Sequence, residues 1–354
     1  MTPGPHPGVI ETYRAFLPVT AATPAITIGE GTTPLVRAPA LERRTGIREV
    51  WLKLEGCNPS GSFKDRGMAL AVAKAVEAGA HTFICASTGN TAASAAAFGA
   101  RYRRSVVVVV PRAGTAIGKL SQALIYGAKV LAIDGSFDQG LDAVRVLAQR
   151  EGVALVNSLN PFRLQGQQTA AFEIVDALGD APDELYIPVG NAGNITAYWM
   201  GFAAYAEAGR AHQKPVLRGF QAAGAAPIVT GSRVVDPQTV ASAIRIGNPA
   251  SWKLAEAARD ASGGTIEAVT DAAIVAAYRL LASEAGVFVE LASAAAVAGL
   301  LQRASAGHPR ADRVVCILTG SGLKDPDSAV RLSPAPVGTA PDPNAMAAAL
   351  GWSA

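Results

Sequence analysis

The sequence predicts an α/β protein built on open, mainly parallel sheets, and three observations carry that expectation. Short β-rich runs alternate with alanine-rich helical stretches along most of the chain. Glycine, proline and asparagine cluster at the junctions, where turns require them. The run Val106–Val110 is apolar at every position, which suits a strand covered by helices on both faces.

Taken in order, the strand candidates are Val50–Leu54, Thr82–Cys85, Ser105–Val110, Lys129–Ile133, Ala154–Val156, Glu184–Val189, Val216–Gln221 and Val314–Leu318. Between them the pattern predicts helices over Lys64–Glu77, Thr91–Arg101, Ile117–Tyr126, Gln139–Gln149 and Ile195–Ala208. A Pro-rich run from Ser333 to Pro343 reads as an extended connection before a last short helix, Asn344–Leu350.

Composition removes several function classes. Half of the 354 residues are hydrophobic and 17% are charged, so a disordered or collagen-like chain is excluded. The 31 basic and 28 acidic residues leave a formal charge of +3 without a single-sign block. Arg101, Arg103 and Arg104 read as a solvated helix end, so no nucleic-acid partner is expected. Cys57, Cys85 and Cys316 lie far apart, which fits a reducing, cytoplasmic setting. His6, His81, His212 and His308 lack metal-ligand spacing, so no metal is expected. Residues 1–8 carry no signal-peptide pattern, and Glu290 interrupts the longest apolar stretch, so no membrane span is expected.

Chemistry concentrates in loops that follow a strand and open a helix, where backbone N–H groups face anions. They are Asn58–Gly67, Ser87–Thr91 and Gly190–Asn194, with Thr319–Asp325 closing the last strand. A dinucleotide reading fails because no G-x-G-x-x-G follows a strand. Gly114–Lys119 is one residue short of a phosphate-binding P-loop, and Leu120 replaces its metal-binding hydroxyl.

At Lys64 the residues match a family. Ser62-Phe-Lys-Asp-Arg-Gly67, after Lys53-Leu-Glu-Gly-Cys-Asn-Pro59, resembles the cofactor-lysine segment of the tryptophan-synthase-β-like (fold type II) pyridoxal-phosphate enzymes. Gly190-Asn-Ala-Gly-Asn194 is similar to the phosphate cradle of the threonine synthase branch. Gly29–Leu35, Gly118–Ala128 and Ala243–Pro249 resemble further segments of that branch, and the likeness runs from about residue 7 to 325.

The resemblance implies two open, mainly parallel twisted sheets flanked by helices. It divides the chain into 1–84, a small mobile substrate-gripping domain over 85–164, a cofactor-binding remainder over 165–330 and a tail over 331–354. Lys64 would join pyridoxal 5'-phosphate through an imine and move protons. Asn90 would bond the cofactor's ring oxygen, Gly190, Asn191, Ala192, Gly193 and Asn194 would cradle its phosphate, and Thr319 would face its ring nitrogen. Ser87, Thr88 and Thr91 would grip the substrate carboxylate, and Ser158 and Arg163 the substrate's own phosphate.

The implied reaction converts O-phospho-L-homoserine and water to L-threonine and phosphate. A homodimer is expected, without activation by S-adenosylmethionine. A dehydratase or another fold type II enzyme shares Lys64 and the cofactor. A non-catalytic binder of pyridoxal phosphate or an anionic metabolite is the alternative from another class. One departure stands out: Glu290-Leu-Ala-Ser-Ala294 replaces the family's Glu-Pro-Ala-Ser-Ala, so a looser Glu290 is expected.

Overall fold

The computed structural model describes residues 6–113, 117–158, 160–308 and 311–352. Ten strands form, which we number β1 (Leu35–Arg37), β2 (Glu49–Leu54), β3 (Thr82–Ala86), β4 (Ser105–Pro111), β5 (Lys129–Ile133), β6 (Val153–Leu155), β7 (Glu184–Pro188), β8 (Val216–Ala222), β9 (Thr265–Val269) and β10 (Arg313–Leu318). They divide into a six-stranded sheet of order β1-β2-β10-β7-β8-β9 and a four-stranded sheet of order β5-β4-β3-β6. All pairs are parallel except β1 with β2, where Leu35 faces Lys53 across an antiparallel edge.

The expected fold is therefore present, and its strands sit where their chemistry places them. The all-valine run belongs to β4, which has β5 on one side and β3 on the other. In the larger sheet β10 and β7 are interior strands. Every residue of β7 is buried, as is each residue of β10 after Arg313. Cys85 in β3 and Cys316 in β10 are fully buried and act as small apolar residues. Strands β1 and β9 have no counterpart among the predicted ones. A three-residue edge strand carries too little pattern, and Thr265-Ile-Glu-Ala-Val269 mixes polar and apolar positions.

The helix Lys64–Glu77 forms with the predicted boundaries and packs on the short helix Pro161–Gln167. Two glycines permit that approach. A Cβ on Gly67 would lie 2.5 Å from the Arg163 carbonyl oxygen, and one on Gly166 would lie 2.3 Å from that of Arg66. The crossing sets Arg163 directly beside the helix that Lys64 begins. Among the described residues, no helix is long and apolar enough to cross a membrane.

The chain divides into a large unit ending at Lys324 and a short unit from Asp325. The short unit holds the helices Pro326–Leu332 and Pro343–Ala349, and the second is capped by Asp342, which accepts from the Ala345 N–H at 2.8 Å. Residues 114–116, in the segment compared with a P-loop, lie outside the described residues.

Candidate active site

The loops singled out in the sequence all follow the carboxyl ends of strands: 55–63 after β2, 87–90 after β3, 157–160 after β6, 189–192 after β7 and 319–321 after β10. That is the edge at which parallel sheets bind ligands. Three of the helices that open there lack side-chain caps, whereas Pro161–Gln167 is capped by Asn160, whose oxygen accepts from the Phe162 N–H at 3.0 Å. Lys64–Glu77, Asn90–Tyr102 and Gly193–Glu207 have Phe63, Gly89 and Ala192 at the cap position, and none of these supplies a side-chain bond. By contrast, Ser136 and Gln139 form a complete capping box for Phe137–Leu147. The first N–H groups of Asn90–Tyr102 and Gly193–Glu207 thus remain available to an anion, whereas that of Lys64 donates to the Ser62 hydroxyl at 3.4 Å.

Lys64 stands at the first helical position, with its Nζ 4.1 Å from the centre of the Phe63 ring. Among the described residues it has no carboxylate in ion-pair contact. Burial, aided by the Arg163 charge and opposed by Glu290, pushes its amine down to about 7. The side chain nevertheless keeps partial solvent access. Such an amine is largely neutral near physiological pH, which imine formation requires.

Around it, three loops are tied together. The Phe63 N–H donates to the Thr319 carbonyl at 3.0 Å, and the Glu290 N–H donates to the Gly320 carbonyl at 3.0 Å. The Asn90 amide donates to both Glu290 carboxylate oxygens, at 3.1 and 3.3 Å. The Thr319 hydroxyl lies 3.0 Å from the Ser293 hydroxyl, which also accepts from the Gly320 N–H at 2.9 Å. Burial raises the Glu290 carboxyl, against the Asn90 bond and the Lys324 and Lys64 charges. Leu291 therefore does not loosen this residue. It is itself buried, and Glu290 is fixed by contacts on both its backbone and its side chain.

The two segments expected to hold phosphates meet at one bond. The Asn191 amide donates to the Ser158 hydroxyl at 3.1 Å, while its oxygen accepts from the Ala250 N–H at 2.7 Å. Ala192 takes a left-handed φ of 66° that turns the chain into its helix. Asn194 follows with its side-chain nitrogen buried and unpartnered among the described residues.

Arg163 is 1% exposed and donates from one terminal nitrogen to the Val156 carbonyl at 2.8 Å. Its Nε and other terminal nitrogen have no partner among the described residues. Burial brings its guanidinium down to about 10, with Cys85 and Asp65 offsetting part of the fall. Arg163 bonds neither Ser158 nor the 190–194 loop among the described residues; it stands instead on the Lys64 side. Ser87 accepts from the Gly89 N–H at 3.3 Å and shapes its own turn, while Thr91 is buried in the first turn after it. No described bond links Ser87, Thr88 or Thr91 to Lys64.

Three further residues belong to the site. Ser293 and Gly320 hold Thr319, and Asn157 replaces a strand neighbour, its oxygen accepting from the Ala86 N–H and its nitrogen donating to the Ala86 carbonyl, both at 2.9 Å. Ser158 was singled out in the sequence. The Asn157 role was not, because its partner is 71 residues away.

This arrangement matches what a pyridoxal-phosphate site needs: a depressed lysine, unpaired buried donors and uncapped helix ends at one sheet edge. Residues 26–320 match the family described as "Pyridoxal-phosphate dependent enzyme". The chain belongs to that family. It is 57% identical to a threonine synthase of Synechocystis sp., over 98% of this chain and 91% of the relative. It is 55% identical to one of Halalkalibacterium halodurans (91% of each chain) and 51% identical to one of Mycobacterium tuberculosis (98% and 97%). Within the family it thus falls in the threonine synthase branch, whose members are pyridoxal-phosphate-dependent lyases. Maize serine racemase (TM-score 0.72, 19% identity, 85% of this chain and 91% of that one) shares the fold. So does threonine deaminase isoform 2 of Solanum lycopersicum (0.72, 22%, 85% and 87%).

Proposed function

We propose that this chain converts O-phospho-L-homoserine and water to L-threonine and phosphate, with Lys64 as its catalytic residue. The observation that supports the reading is the Asn191–Ser158 bond, which joins the segment we assign to the substrate phosphate to the loop we assign to the cofactor phosphate. A substrate bringing its own phosphate has a use for both segments, whereas a simple hydroxy-amino acid does not.

In this reading the 190–194 loop holds the cofactor phosphate through its N–H groups and Asn194, while Asn90 and Thr319 hold the ring. Ser158 and Arg163 take the substrate phosphate, and Ser87, Thr88 and Thr91 its carboxylate. The cofactor, when bound, supplies the electron sink that makes the protons beside the amino group acidic. Lys64 takes the proton from Cα and serves the transfers at Cβ. The Cγ–O bond breaks and its electrons leave with phosphate. Protons return at Cγ and Cα, and the water oxygen bonds to Cβ while one of its protons passes to the departed phosphate. An amine titrating near 7 suits a group that both accepts and returns protons.

The segment 85–164 holds nearly all of the four-stranded sheet and carries Asn90, Ser158 and Arg163. We assign it the closing movement over the substrate, which excludes bulk water. The reading also carries a cytoplasmic homodimer with O-phospho-L-homoserine as its small-molecule partner. The test is joint product analysis with added pyridoxal phosphate. Threonine and phosphate should form in equal amounts, and Lys64→Ala should lower the rate at least about a thousandfold. Phosphate accompanied by a keto acid would move the chain to an elimination enzyme.

A further inference from the structure

The segment that carries the smaller sheet is also tied to the loop before Lys64, at a place that contains none of the residues assigned above. The helix Ile117–Ile125, which follows β4, sends Gln122 to the loop before Lys64. The Gln122 nitrogen donates to the Ser60 carbonyl at 3.1 Å, and its oxygen accepts from the Lys324 ammonium. Lys324 closes the ring by donating to the same Ser60 carbonyl at 3.1 Å. Ser60 thus accepts two donors on one oxygen, and the amide of Gln122 uses both of its ends.

The surroundings are built for this ring. Gly61 has a left-handed φ of 88°, and a Cβ there would lie 3.0 Å from the Lys324 Cδ, so the lysine stem passes over a residue without a side chain. The Ser321 N–H donates to the Gly61 carbonyl at 2.9 Å, which anchors the 3-10 turn Gly322–Lys324 from which Lys324 reaches. On the other side, Ser60 gives its N–H (2.7 Å) and hydroxyl (2.5 Å) to Asp65, the residue after Lys64. The helix Ile117–Ile125 packs in turn on Asn90–Tyr102, whose first residue reaches Glu290. A continuous path therefore runs from Asp65 through Ser60, Gln122 and two helices to Asn90.

We propose that Gln122 and Lys324 are positioning residues that clasp the small-sheet helix to the Lys64 loop and fix Asn90 relative to Lys64. The bridges at the site itself, Asn90–Glu290 and Ser158–Asn191, consist of groups expected to exchange partners when ligands bind. The clasp touches no assigned ligand group, so it persists through the cycle as the fixed point about which the 85–164 segment moves. Lys324 is suited to this use because its cation also faces the buried Glu290 and Asp65 carboxyls.

The inference rests on the proposed reaction for its kinetic arm only. In the holoenzyme, Gln122→Ala and Lys324→Met should each lower kcat/KM for O-phospho-L-homoserine about tenfold. The double variant should also lose about tenfold, because both changes open one ring, and Lys324→Arg should stay within a few-fold of the parent. Hydrogen exchange gives the independent arm: amides of 117–125 should exchange about tenfold faster in Gln122→Ala with the cofactor bound. If the parent makes no threonine, the reaction assignment falls while the exchange result still decides the clasp. Unchanged exchange in 117–125, or an additive hundredfold loss in the double variant, would overturn the clasp.

Discussion

Two groups of charges flank the start of the helix Lys64–Glu77, and they are built on opposite plans. On one side, Arg66 gives two bonds to Glu55 (2.7 and 2.8 Å) and two to Glu173 (2.6 and 2.7 Å). Lys53 adds a bond to Glu173 at 2.6 Å and another to the Thr33 carbonyl at 2.7 Å. Two buried cations meet two carboxylates, and each cation has more than one acceptor. On the other side, Lys64 and Arg163 face no carboxylate in direct contact among the described residues, and two Arg163 nitrogens have no acceptor at all.

Electrostatics separates them in the same way. Burial alone would weaken the Arg66 guanidinium, but Glu173 and Glu55 outweigh it and hold that group well above its ordinary value. Burial likewise opposes the Glu173 charge, yet Arg66 and Lys53 bring its carboxyl down to about 2. Lys64 and Arg163 instead both fall, because Glu290 on the one side and Cys85 and Asp65 on the other offset only part of the burial. A buried cation that a protein leaves unpaired is costly. Its persistence beside a lysine of this kind marks a place kept for an anionic ligand, whereas the saturated group marks a fastening.

The comparison can be broken most severely at Glu173. Glu173→Gln removes a carboxylate from two buried cations and should destabilise the fold by about 3 kcal/mol, measured by urea unfolding. Activity per folded molecule should change less than about threefold. A large kinetic loss without a stability loss would place Glu173 in the site and erase the contrast.

A smaller effect sharpens the other side. In the proposed reading the neutral amine of Lys64 captures the cofactor, and burial depresses that amine to about 7. Capture by the apoprotein should therefore speed up about tenfold per pH unit below that value and level off above it. An ordinary lysine would keep gaining rate to about pH 10. In Arg163→Leu the plateau should move to higher pH, since that cation helps depress the amine.

How much of this was legible in the sequence follows from distance along the chain. The Lys64, Ser87–Thr91 and Gly190–Asn194 loops could be read because each is a compact run of residues with turn and anion chemistry of its own. Most strands and helices were readable for the same local reason. The saturated network was not, because Arg66 and Glu173 are separated by 107 positions, and single charges in apolar runs do not name their partners. Gln122 and Lys324, 202 positions apart, were invisible for that reason too. Arg163 was singled out through its spacing from Ser158, yet only the fold brings it beside the Lys64 helix, through the Gly67–Gly166 crossing.

The most direct test of the central claim is the KM of the Arg163→Leu holoenzyme for O-phospho-L-homoserine, read beside its unfolding midpoint. The account predicts a rise of about a hundredfold, with cofactor absorption retained and stability equal to or above that of the parent. An unchanged KM together with a lowered midpoint would contradict it, and would place Arg163 with Arg66 among the fastenings.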